Sequence, residues 1–309
     1  MQYLEEQVRL LREIRLALQE NDFARAIGDL ERIVEIAKER GDYSAAARHL
    51  GNLALTYYRA GQPDPALAKF NDALICAREE NDRMTENGLL GNMGNILREL
   101  GRYDEAMHYL NEALMIAQEV GDKRGRGIWL TNLGLVYDDL GQPSTAFDLH
   151  QQAVEIARQL FDQPNVALRL GHMGNSKVAL GDYNEALKYF SDAANLYEQL
   201  GRDEDLALRL GIIGNLHAHI GRQTKDPIKA REHFKDALNY YERTLSLARD
   251  LKDTLSEAEL LRSIGHVLIN AGYHTEAASF LENAVQIFDQ VQEKQKANEI
   301  RSLLQRLKQ

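Results

Sequence analysis

Residues Leu90–Ala117 read LGNMGNILRELGRYDEAMHYLNEALMIA. Three small residues in this stretch, Gly94, Gly101 and Ala106, recur in phase along the rest of the chain. Ala26, Ala66, Ala106, Ala146 and Ala186 stand 40 residues apart; one step of 51 leads to Ala237 and a further 40 to Ala277. Four residues beyond these lie Leu30, Phe70, Leu110, His150, Phe190, Tyr241 and Leu281, and seven beyond lie Ile33, Ala73, Ala113, Ala153, Ala193, Thr244 and Ala284. Gly94, Gly134, Gly174, Gly214 and Gly265 keep the same phase, with Ile14 and Ala54 as earlier members; so do Gly61, Gly101, Gly141, Gly181, Gly221 and Gly272. Seven copies in one phase define a repeat array, in which each unit is stabilised chiefly by its neighbours.

Each copy reads as two helices. The i, i+4, i+7 spacing of small and large apolar residues is one stripe of an amphipathic helix. Asp42, Asp82, Asp122, Asp162 and Asp253 fall where the first helix of a pair begins, as N-caps. The Gly61 series ends that helix, and Pro63 and Pro143 follow in the first turn of the second. No segment alternates with a β period, so the expected class is all-α. The repeats span about 1–41, 42–81, 82–121, 122–161, 162–201, 202–252 and 253–291.

The sixth copy carries 11 extra residues between Gly221 and about Ala237. Asp226-Pro227 reads as an N-cap followed by a first-turn proline, and helical periodicity runs to Asp250. Two registers are open, one with Ala237 in the signature position and one with Ala230, Phe234 and Ala237. Either predicts a protruding long helix. At the ends, a helix from about Tyr3 to Gln19 carrying Leu4, Val8, Leu11 and Leu18 is expected to cap the array. A helix over 293–309, with Ala297, Ile300, Leu303, Leu304 and Leu307 inward, caps the other end.

Leu90, Met93, Gly94 and Leu97, then Leu130, Leu133, Gly134 and Tyr137, with Ala106, Leu110 and Ala113 after them, resemble the two helix signatures of the tetratricopeptide repeat. The usual period there is about 34 residues. The longer repeats here look most like those of the Leu-Gly-Asn (Pins-type) polarity adaptors and of bacterial signalling proteins. The resemblance covers about residues 1 to 291. It implies a single right-handed superhelical solenoid of seven helix pairs plus the C-terminal capping helix, with the first helix of each pair lining a concave groove.

On that first helix a polar row stands out. One residue after the signature glycine come Asn95, Asn175 and Asn215, with His266 in the last copy. Two residues before it come Asn52, Asn92, Asn132 and His172, on the same helix face. Arg98, Asp138 and His219 continue the face, among mixed charges such as Arg59, Glu99 and Asp139. The resemblance implies that these residues line the peptide groove, where an asparagine amide both donates and accepts. Gly91, Gly171 and Gly211, with Gly51 beside them, either admit a ligand backbone or make room for the neighbouring helix.

Other features exclude chemistry rather than suggest it. With 37 Lys+Arg against 47 Asp+Glu the net charge is −10, the wrong sign for nonspecific attraction to nucleic acid or anionic membrane. One cysteine cannot form an internal disulfide, no apolar run reaches about 20 residues, and Met1-Gln-Tyr-Leu-Glu-Glu does not read as a signal peptide. A cytoplasmic location is expected. Phosphate loops, dinucleotide fingerprints and zinc-protease motifs are absent. His217 and His219 diverge by about 200° on a helix and do not share a metal. Cys76 occupies an apolar register position and reads as a core thiol, Trp129 as packing, and Asp138-Asp139 as an acidic face. No catalytic residue, metal or cofactor follows. The expectation is a non-catalytic scaffold or adaptor, monomeric or weakly self-associating, that binds a protein or peptide. The alternative is a regulatory sensor module of a larger signalling ATPase or transcription regulator.

Overall fold

The computed structural model describes residues 2–307, with side chains from residue 6 onward. The Leu4 side chain and the last two residues of the expected C-terminal cap lie outside them. The described residues form α-helices and turns, with no strand. Two compact units are present, Met1–Leu160 and Phe161–Gln309. The first holds α1 (Gln2–Gln19), α2 (Phe23–Glu39), α3 (Tyr43–Arg59), α4 (Pro63–Glu79), α5 (Arg83–Glu99), α6 (Tyr103–Glu119), α7 (Lys123–Asp139) and α8 (Pro143–Gln159). The second holds α9 (Gln163–Ala179), α10 (Tyr183–Gln199), α11 (Asp203–Gln223), α12 (Pro227–Asp250), α13 (Thr254–Asn270), α14 (His274–Gln290) and α15 (Lys294–Leu307). Within each unit every helix packs on the next in sequence, and α3, α5 and α7, like α11 and α13, also touch across one intervening helix. Each unit is an all-α stack of helix pairs, four in the first and three in the second, with α15 packed on α14.

Turn chemistry sets the helix lengths. At Gly61, φ is +75°, which costs a residue without Cβ little. The Gly61 and Gln62 amides donate back to the carbonyls of Tyr58 and Tyr57, both at 2.9 Å, and so close α3. The expected aspartates then open α3, α5, α7, α9 and α13. Each accepts from the backbone amide three residues on, as Asp42 does from Ala45 at 2.9 Å. The helices pair where a glycine faces a large residue. A Cβ on Gly94 would stand 2.7 Å from Leu110 Cγ and 3.2 Å from the Ala106 carbonyl. Around that point Leu90, Leu97 and Leu110 are wholly buried, each contributing about 1.5–3 kcal/mol.

Gly221 departs from the expectation that it ends a helix. α11 runs through it to Gln223, and α12 begins at Pro227, so the insertion lengthens both helices of one hairpin. Gly214 meets Tyr241 and the Ala237 carbonyl, as Gly94 meets Leu110 and Ala106; Gly221 then meets Phe234 and the Ala230 carbonyl. Both registers are therefore used, seven residues apart on each helix. Asp226 caps α12 as expected, accepting from Ile228 at 2.9 Å.

A second departure is in α1. Its buried stripe is Leu10, Ile14 and Ala17, whereas Val8 and Leu11 are 60% and 49% exposed. Both stripes have helical spacing; the one in phase with Ala54 and Gly94 faces α2. At the other end Ala297, Ile300 and Leu304 are buried, with Leu303 and Leu307 packed beside them, as the cap requires.

Candidate ligand-binding groove

In the first unit Asn95, Arg98 and Asp138 of the polar row are paired with their own neighbours. Asn95 donates to Glu99 at 3.0 Å, and Glu99 also accepts from the Tyr58 hydroxyl. That bond pushes the Tyr58 pKa up to about 12. Arg98 donates to Asp139 at 2.8 Å. Asp138 turns the other way, 3.0 Å from Nε2 of the fully buried His150. The adjacent aspartates thus diverge, each with a structural partner. Asn52 is exposed on α3, and Asn92 and Asn132 are half-buried on α5 and α7.

The glycines three residues before the signature position separate into two kinds. A Cβ on Gly51 would stand 2.7 Å from Leu89, on Gly91 2.4 Å from the Trp129 ring, and on Gly171 2.6 Å from Arg209. At these three the next first helix takes the space. Trp129 is buried there, its indole N–H donating to Asn87 at 2.7 Å, and Asn87 donates to Asp122 at 2.9 Å. Gly211 is different, because its nearest neighbour would be the Thr244 methyl at 3.8 Å. In the place of Arg209 stands Leu260, which lines a cavity instead.

That cavity, about 520 Å3, lies between α11, α12 and α13. Its apolar wall includes Leu208, Ile212, Leu251 and Leu260; Asn215, Thr244, Ser256 and Ser263 add polar groups, and Glu204, Asp253 and Glu259 add carboxylates. Asn215 Oδ1 accepts from the Tyr241 hydroxyl at 2.7 Å, which fixes the amide plane and leaves its NH2 group as a donor. Burial pushes the Tyr241 pKa up to about 12. Ile212 and Asn215 also line a second cavity of about 300 Å3, with Asn175, Val178, Tyr183, Phe190, Leu216 and His219. Three of the expected residues, Asn175, Asn215 and His219, therefore meet on one surface, with His219 edge-on to Tyr183 at 4.9 Å. His172 is half-buried on α9, its carbonyl accepting from Ser176 at 3.2 Å. His266, on α13, is held below the ordinary imidazole range by burial and by Arg262 and Arg222.

Sequence reading missed the apolar walls at Leu208, Ile212 and Leu260, because in isolation each is one more leucine or isoleucine of a repeat. Cys76 is buried as expected, and burial pushes its thiol pKa up. Among the described residues no helix is long and apolar enough to cross a membrane.

The tetratricopeptide repeat family model matches residues 13–79 and 85–159. No curated protein sequence matches the chain. Among solved structures, the apo form of RapI superposes with a TM-score of 0.64 at 15% identity, over 95% of this chain and 100% of that one. A signal transduction ATPase of Pyrococcus horikoshii with a tetratricopeptide repeat sensor gives 0.63 at 16%, over 92% of this chain but 46% of that one. A Rap protein complexed with Competence and Sporulation Factor gives 0.55 at 16%, over 99% and 98%. At these identities the likeness is one of fold.

Proposed function

Since the chain is a tetratricopeptide-repeat protein, we propose that it is a non-catalytic binding module that holds a peptide, or an extended segment of a partner protein, against α9, α11 and α13. The observation that carries this reading is the cavity of about 520 Å3 beside Gly211, where the repeat's usual filling side chain is displaced. An apolar side chain of the ligand enters between Leu208, Ile212 and Leu260, and the Asn215 NH2 group bonds a ligand backbone carbonyl. Glu204 and Asp253 at the cavity favour a neutral or basic ligand segment over an acidic one. Asn175 and His219 extend the contact into the smaller cavity, and the first unit, where Asn95, Arg98 and Asp138 are already paired, contributes less.

A photocrosslinking side chain placed at Leu208 tests this in source-cell lysate. A ligand captured there, and not captured when Gly211→Leu fills the cavity, supports the site; capture unaffected by Gly211→Leu overturns it. A second reading, an effector-sensing module of a larger signalling protein, is favoured by the likeness to the sensor-bearing ATPase. An effector domain in the same polypeptide whose activity changes with ligand would distinguish it from a free-standing adaptor.

A further inference from the structure

The lengthened hairpin brings together three metal-ligating side chains that are far apart in sequence. His217 on α11 has its Nδ1 3.1 Å from Nδ1 of His233 and 3.7 Å from Oδ2 of Asp236, both on α12. The three ligand atoms all lie within 4.8 Å of one another, the one such group among the described residues. His233 belongs to the added length: α12 has 24 residues where the other second helices of the pairs have 17, and the seven extra are 227–233.

The preceding copy shows what this slot ordinarily holds. Lys177 there makes an ion pair with Glu185 at 3.2 Å, in the register positions of His217 and Asp236. Here an imidazole replaces the ammonium, and the insertion adds a second imidazole. A cation-to-carboxylate pair has become a set of two nitrogens and one oxygen, all able to accept a metal ion.

The spacing fits such an ion. Ligand atoms bound at about 2.0–2.1 Å to a tetrahedral zinc lie about 3.3–3.4 Å apart, close to the observed nitrogen–nitrogen separation. The His217 ring is oriented in advance by stacking on Tyr240, with centroids 5.6 Å apart and planes 18° from parallel. Its side chain is 13% exposed while that of Asp236 is 49% exposed, so the group is shielded on one side and open to water on the other. A nitrogen–nitrogen hydrogen bond would account for the two histidines but gives no role to the third group converging on the same Nδ1.

We propose that His217 Nδ1, His233 Nδ1 and the Asp236 carboxylate bind one divalent cation of the zinc class, with water completing the coordination, and so clamp the extended ends of α11 and α12 together. The test uses the untagged full chain, Co2+ as spectroscopic probe and Zn2+ as competitor. Wild type should take up one Co2+ with four-coordinate ligand-field absorption, lose it to Zn2+, and gain thermal stability with Zn2+. His233→Gln and Asp236→Asn should each weaken binding at least about tenfold, with circular dichroism unchanged. His108→Gln, remote in the first unit and 72% exposed in its side chain, should bind as wild type. Absence of ligand-field absorption in wild type overturns the assignment, as does binding that survives unchanged in both ligand variants.

Discussion

Trp129 lies so close over Gly91 that a Cβ on the glycine would stand 2.4 Å from three atoms of the indole ring. In the same register position of the sixth copy, a Cβ on Gly211 would meet only the Thr244 methyl, at 3.8 Å, beside the cavity. The same substitution should therefore have opposite effects at the two sites. Gly91→Ala gains about 1 kcal/mol of helix propensity but overpacks the ring at a typical cost of about 1–3 kcal/mol, so the urea midpoint should fall. Gly211→Ala should raise it, through a gain in stability of up to about 1 kcal/mol. Equal shifts at both positions would remove the distinction on which the proposed binding site rests.

Asp122 caps α7 through the Gly125 amide at 2.8 Å and also holds Asn87, which in turn holds the buried Trp129. Asp42 caps α3, accepting from Ala45. Losing a cap alone costs about 1 kcal/mol. Asp122→Ala also leaves the buried Asn87 amide without that acceptor, adding about 1–3 kcal/mol. Chemical unfolding should rank Asp122→Ala well below Asp42→Ala.

Phe161 has φ +55° and is 85% exposed in the turn between α8 and α9. A bulky side chain is disfavoured in this left-handed conformation, and the exposed ring gains little from packing. Phe161→Gly should stabilise the chain by about 0.5–1 kcal/mol, because the strain relieved exceeds the added freedom of the unfolded glycine. A lowered melting temperature would show that the ring makes contacts that stabilise the turn.

Tyr241 has its pKa raised from 10.0 to about 12 by burial against Asn215. Between those values the folded state holds a proton that the unfolded state releases. The corresponding stabilisation is complete below pH 10 and is lost as pH rises through about 12. Stability should thus fall more steeply with pH over this window in wild type than in Tyr241→Phe. Parallel profiles would mean that the phenol is not held neutral by the fold.

The 40-residue phase made the helix pairs, their aspartate caps and the C-terminal cap legible in the sequence, because each depends on a local residue type at a fixed spacing. The ends of the second helices were less visible. Their left-handed positions are filled by Gly41, Asn81, Gly121, Phe161, Gly201, Lys252 and Gln292, a set with no common chemistry. Gly221 was in phase with the true helix ends yet lies inside α11, since extra turns on both helices moved the loop without disturbing the glycine spacing. Val8 and Leu11 share the spacing of a buried stripe, and only the alignment of Ile14 with Gly94 selects the other face. The asparagine row picks out one helix face. It did not distinguish Asn95, bonded to Glu99, from Asn215 beside an open cavity, because that difference depends on residues from other helices.

The proposed function places binding at Gly211 and Asn215 rather than along the polar row of the first unit. Quantitative affinity purification from source-cell lysate, comparing wild type, Gly211→Leu/Asn215→Ala and Asn52→Ala/Asn92→Ala/Asn95→Ala, tests it most directly once circular dichroism has established that all three are folded. A partner enriched by wild type should be retained by the triple asparagine variant and lost from the double variant. Retention by the double variant with loss from the triple variant would contradict it.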